Sequence, residues 1–156
     1  MSSTAAAGAL ARFSLPSEPG NERLALRRVA EAVVDLGLST DQLERLKTAV
    51  AEATMNAIEH GNGNRADVPV EIEVRQAGRQ VVVEISDSGG DRAARAAAEE
   101  PDLALKLDGL QRPRGWGLFL IRNMVDDMDV ASDGERHTVR LAMRVAGEAE
   151  KKGGRS

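Results

Sequence analysis

Glu52 and Asn56 stand four residues apart in the stretch VAEATMNAIEHG. On a helix that spacing puts both side chains on one side. A carboxylate there can take a proton from a hydroxyl, and a carboxamide oxygen can hold a hard cation. Ala49 and Ala53 share this side, so the pair borders an apolar stripe, where polar groups are costly unless paired, hydrated or bound to an ion. The same two residues also suit a boundary Glu and an Asn bonded to a neighbouring loop. Asp87-Ser88-Gly89-Gly90 closes an alternating apolar run. It serves as a strand-end turn, or as a buried carboxylate beside glycines that let a ligand approach the backbone. Gly115-Trp116-Gly117 precedes an amphipathic run. Free N–H groups at a helix start attract anions, although a linker with an N-cap has the same composition.

These residues need elements to hold them. Ala11 to Leu15 alternates and predicts a first strand, broken by Pro16, Pro19 and Gly20. Asn21 then caps a helix to about Leu36, with Leu24, Leu26, Val29, Val33, Val34 and Leu36 as its apolar face and Gly37 as its stop. Ser39 to Gln42 reads as a capping box opening a second helix, about Asp41 to Glu59, whose core stripe is Leu43, Leu46, Val50, Ala53 and Ala57. His60 continues its polar line if the helix extends that far. Val68 to Arg75 and Gln80 to Ser86 form a hairpin around Gln76 to Arg79. The stretch from Asp91 to Pro113 is Ala-rich, charged and broken by prolines and Gly109, and reads as a mobile excursion with one short helix at most. A helix from about Leu118 to Val125 follows, then a hairpin of Asp129 to Ser132 and His137 to Val145. This order suits helices on one face of a mixed, mostly antiparallel sheet, a two-layer α+β sandwich. Met1 to Ala9 and Gly147 to Ser156 read as disordered tails, leaving a folded domain over 10–146.

Composition narrows the chemistry. With 156 residues the chain is one domain long and can bury roughly 70% of its unfolded surface. It has no Cys, which excludes disulfides, thiol catalysis and thiolate metal sites. A net charge of -4 argues against a general nucleic-acid binder, and one Trp, two Phe and no Tyr leave little for base stacking. No apolar run reaches the roughly 18 residues of a membrane span, and no signal-peptide pattern opens the chain. His60 and His137 are isolated and read as structural or surface residues, and Met124 and Met128 as core fillers. Leu120 stands where a dinucleotide fingerprint needs a third Gly, and no Walker A run is present.

Order and context make the three features specific together. VAEATMNAIEHG resembles the N-box, VEISDSG (Val83 to Gly89) the first Gly box and RGWGLFLIRNMVDD (Arg114 to Asp127) the second Gly box of Bergerat-fold ATP-binding domains. Those domains are shared by gyrase B, histidine kinases and MutL, and the chain looks most like their anti-sigma-factor serine kinases. The resemblance spans about Ala11 to Val145. It implies ATP and Mg²⁺ as cofactors, with Asn56 on the magnesium and Glu52 as the base on a substrate hydroxyl. It implies Asp87 on the adenine amino group, Gly89 beside the nucleotide, Gly115 and Gly117 at the phosphates, and Thr138 near adenine. Residues 91–113 would be the ATP lid. Asp91 departs from the family by standing where a last Gly is usual, and either Arg112 or Arg114 could reach the γ-phosphate. The implied function is a cytoplasmic anti-sigma factor that binds a sigma factor and phosphorylates an anti-sigma antagonist on Ser or Thr, as a homodimer and without direct nucleic-acid or membrane contact. The same motifs would serve a nucleotide-gated binding module without phosphotransfer.

Overall fold

The structure, a computed structural model, describes residues 9–90 and 116–145. The expected tails over 1–8 and 147–156, the expected lid at 91–113 with its short helix, Arg112, Arg114 and Gly115 lie outside the described residues. In chain order the elements are β1 (Ala9–Pro16), α1 (Asn21–Ala32), α2 (Thr40–Asn56), a π-helical turn (Ala57–Gly61), β2 (Pro69–Ala77), β3 (Gln80–Asp87), α3 (Trp116–Met124), β4 (Asp127–Ser132) and β5 (His137–Arg144). β1 thus begins at Ala9, a residue the composition assigned to the tail.

The strands form one sheet in the order β1-β2-β3-β5-β4, and all four pairings are antiparallel. The α+β sandwich expected from the element order is present, with an antiparallel rather than mixed sheet. Alternate residues of the central strands face the helices: Val70, Ile72 and Val74 on β2, Val81, Val83 and Ile85 on β3, and Val139, Leu141 and Met143 on β5. Each such side chain contributes about 1.5–3 kcal/mol by leaving water. The opposite face carries charge across the strands, as in Arg12–Glu73 (3.1 Å), Arg75–Glu84 (3.4 Å) and Arg136–Glu71 (2.7 Å). The period of two along each strand sorts these faces.

α2 opens with the capping box expected of it. Ser39 Oγ accepts from Gln42 N at 3.0 Å, and Gln42 Oε1 accepts from Ser39 N at 2.9 Å. Gln42 Nε2 also donates to Arg144 O at 2.7 Å, which ties the helix start to the end of β5. Leu46, Val50, Ala53 and Ala57 are buried as the stripe predicts. α1 departs from its expectation at both ends. Gly20, at φ +103°, takes the N-cap position, and Asn21 instead donates to Pro16 O. The helix closes at Ala32, because the chain tightens into a turn in which Val34 N donates to Glu31 O and Leu36 N to Val33 O. That turn leaves Val34 68% exposed, and Leu24 also lies outside the core.

Candidate functional site

The end of α2 does not run on as an α-helix. After Asn56 it widens into a π turn over Ala57–Gly61, with Asn62 N donating to Ala57 O at 2.8 Å. Such turns re-aim the residues that follow them and recur at functional sites. Here His60 falls on the exposed surface, so the polar line expected to continue through it stops at Asn56. Gly61 is buried instead, with its Cα against the Asp87 carboxyl group, where any side chain would collide.

Glu52 and Asn56 sit half-buried on one side of α2. Gly117, in the first turn of α3, is packed against both. A methyl group added there would lie 2.6 Å from Asn56 Nδ2 and 2.6 Å from Glu52 Oε2. The carboxylate, the carboxamide and a helix start, far apart in sequence, therefore meet at one place. A larger residue at 117 would displace the ends of both side chains.

Asp87 ends β3 and is buried. Its Oδ1 accepts from Gly89 N at 2.8 Å, and its Oδ2 lies 3.2 Å from His137 Nδ1. Gly89 closes the turn through that N–H. Gly90, at φ +58°, packs against the β4–β5 turn, where a methyl group would come 2.5 Å from Gly134 O. Asn62 locks the approach to this turn from the other side. Its Oδ1 accepts from Ser88 N at 2.8 Å, and its Nδ2 donates to Ser17 Oγ at 2.9 Å and to Pro69 O at 3.1 Å. A fully buried amide is thereby satisfied, and the Asp87 turn is fixed to β1 and β2.

Thr138 does not join this group. It pairs with Ser86 in the sheet register, and its hydroxyl lies 2.8 Å from Ser86 Oγ. Asp87 pairs with His137, one residue earlier. Because side chains alternate across a sheet, His137 shares the helix-facing side with Asp87, and Thr138 faces away. Thr138, expected near adenine, therefore lies on the face of the sheet away from Asp87. His137, expected to be a structural or surface residue, is buried beside Asp87. The structure brings together Glu52, Asn56 and Gly117, and places Gly89 in the turn beside Asp87. The contacts of Asn62 and His137 with the Asp87 turn were missed by the sequence reading. The His-Thr pair before an alternating strand was the one signal that could have found His137.

The arrangement suits a nucleotide held with a metal. Among the described residues no three His, Cys, Asp or Glu side chains cluster to hold a cation. Asn56 can offer a cation one amide oxygen and leave its other positions to water or ligand oxygens, which is the habit of Mg²⁺. Gly117 brings the start of α3 beside Asn56, and backbone N–H groups at a helix start suit phosphate oxygens. The residues present thus fit a magnesium-bound phosphate at Asn56 and a polar base edge near Asp87.

Known proteins resemble the chain in sequence and in fold. The family model described as a histidine kinase-like ATPase domain matches residues 15–143. The sequence is 33% identical over 128 residues to an anti-sigma F factor of Clostridium botulinum, covering 82% of this chain and 87% of that one. It is 32% identical over 127 residues to the anti-sigma F factor of Bacillus subtilis, covering 81% and 86%. Among solved structures the fold is similar to one in the SiaB-SiaC complex of Pseudomonas aeruginosa, with a TM-score of 0.63, 15% identity, and coverage of 90% of this chain and 93% of that one. It is also similar to a Mycobacterium tuberculosis protein solved as its RsbU and RsbW domains, with a TM-score of 0.60, 16% identity, and coverage of 86% and 32%.

Proposed function

The chain belongs to the histidine kinase-like ATPase family, and from that premise we propose that it is an ATP-dependent anti-sigma factor with serine/threonine protein kinase activity. It binds a sigma factor and phosphorylates a protein antagonist of that binding, as a homodimer in the cytoplasm. The observation that carries the chemistry is the meeting of Glu52, Asn56 and Gly117 at the start of α3. The anti-sigma F factors among its relatives support the choice of partner class.

Each residue has a task in this reading. Asn56 offers its amide oxygen to Mg²⁺. Magnesium-bound ATP supplies an electrophilic γ-phosphoryl group, and its charge is offset by the metal. Gly117, with Gly115 before it, lets backbone N–H groups approach phosphate oxygens. Asp87 accepts from the base amino group, and Gly89 closes the turn beside it. Glu52 accepts the proton of a serine or threonine hydroxyl as that oxygen attacks, a contribution of about 10²- to 10⁴-fold in rate. A binding module needs the nucleotide contacts but no base beside them. The position of Glu52 against Gly117, next to the proposed phosphate site, therefore favours phosphotransfer over nucleotide-gated binding alone.

The test is transfer of label from γ-³²P-ATP to the antagonist protein encoded nearest to this gene. Wild type should label the antagonist on Ser or Thr. Glu52→Gln should bind ATP within about threefold of wild type and lose at least about 100-fold in transfer. Unlabelled antagonist in the presence of normal ATP binding contradicts the kinase assignment and leaves the binding module.

A further inference from the structure

The helices cover one face of the sheet, and the other face has no layer over it among the described residues. One row across that face reads Arg12, Glu73, Glu84, Arg140 and Asp129, from β1 at one edge to β4 at the other, because each is the register partner of the next. Arg75 lies 3.8 Å from Glu73 and 3.4 Å from Glu84, so the band holds three cations and three anions. It is neutral on a chain whose net charge is -4. Two copies of an acidic chain repel each other over most approaches, and a neutral band is where they can meet. The two ends of the row are its most exposed charges, and they are opposite in sign. The Arg12 side chain is 63% exposed and that of Asp129 is 70% exposed, against 23–31% for the four between them.

We propose that this face is the homodimer interface, with a second copy of the chain as its occupant. The order of charges selects the symmetry. A twofold axis running along β3, between two facing sheets, sets β1 opposite the partner's β4 and β2 opposite the partner's β5. Arg12 then faces the partner subunit's Asp129, and Glu73 faces the partner subunit's Arg140, each twice by symmetry. Glu84 meets its own copy on the axis, with Arg75 already beside each carboxylate. A twofold axis along the row would instead set every charge against its own copy. Sheets that pack face to face keep their strands within about 30° of each other, which the first arrangement allows. Charges at such a contact fix orientation and partner more than strength. This assignment rests on the homodimer of the reading above and not on its nucleotide site.

Sedimentation equilibrium of the full chain tests it. Wild type should sediment as a dimer. Arg12→Asp puts two pairs of like charges across the axis, and Asp129→Arg does the same with the opposite sign. Each variant should raise the dimer dissociation constant at least about tenfold. Mixing the two in equal amounts should restore a dimer, because the heterodimer regains both opposite pairs. The double variant should dimerise with itself for the same reason. Both positions are exposed, so the single variants should still melt cooperatively, and a merely structural role at either position would not produce the rescue. Dimers that neither reversal weakens, or two monomeric variants that stay monomeric when mixed, overturn this interface and leave the homodimer standing. Wild type that stays monomeric overturns the interface and the homodimer together, while Mg-ATP binding by the same preparation tests the nucleotide site separately.

Discussion

Gly117 has no side chain to contribute, yet it controls whether Glu52 and Asn56 can share a ligand with α3. A methyl group there would crowd both, at 2.6 Å each. Gly117→Ala should therefore displace the ends of the Glu52 and Asn56 side chains and weaken Mg-ATP binding at least about tenfold. Its cost in stability should stay below about 1 kcal/mol, because the atoms that must move are the ends of two half-buried side chains. Equilibrium binding and urea unfolding on the same preparation check both numbers. Asn56→Ala should differ in kind. It removes one amide from a half-buried position, so nucleotide affinity should fall in the presence of Mg²⁺ with little loss of stability. Comparing nucleotide affinity with Mg²⁺ and with EDTA isolates this, since only the metal-dependent part should disappear.

At the scale of elements, the turn after β3 is held by a residue outside both glycine-rich segments. Asn62 bonds Ser88, Ser17 and Pro69, drawing together β1, β2 and the Asp87 turn. Asn62→Ala leaves these buried groups unmet and should cost about 1–3 kcal/mol. It should also loosen Asp87, so ATP affinity falls although Asn62 has no contact with nucleotide in this account. A variant with wild-type urea midpoint and wild-type affinity would refute that role. This residue also marks where the sequence stops being informative. The capping box at Ser39 and the Asp-x-Gly turn were legible because their partners lie within four residues. Two partners of Asn62, Ser17 and Ser88, lie 45 residues before it and 26 after it, and they meet only once the sheet has formed. The π turn had no local signature either, so whether the helix carried His60 along its polar line stayed open, while its reading as a surface residue holds. On β5 the strand itself was legible, but a period of two sends neighbouring residues to opposite faces, so the contact of His137 with Asp87 shows only once β3 and β5 are paired.

For the molecule as a whole, the sheet and the α1–α2 layer form the larger part of the core, and α3 adds Ile121 and Leu118 along the edge of α2. Much of that architecture follows from hydrophobic spacing, since the stripes of α2, β2, β3 and β5 are the ones buried. The antiparallel order β1-β2-β3-β5-β4 puts Asp87 and His137 side by side at strand ends, near the helix that carries Glu52 and Asn56. A ligand that bridges the sheet, α2 and α3 binds the folded state and not the unfolded chain. At about 100 times its dissociation constant it should add roughly 2.7 kcal/mol, and so raise the melting temperature by several degrees. Mg-ATP should produce that shift in wild type, and Gly117→Ala should show a smaller one.

The central claim is that these elements together form one adenine-nucleotide site, and titration calorimetry of wild type and Asp87→Asn with Mg-ATP tests it most directly. The account predicts saturable heat for wild type at micromolar to submillimolar nucleotide. It predicts at least about tenfold weaker binding for Asp87→Asn, whose melting curve should still show a cooperative fold. No heat from wild type at millimolar Mg-ATP, or equal affinity in the two proteins, would contradict it.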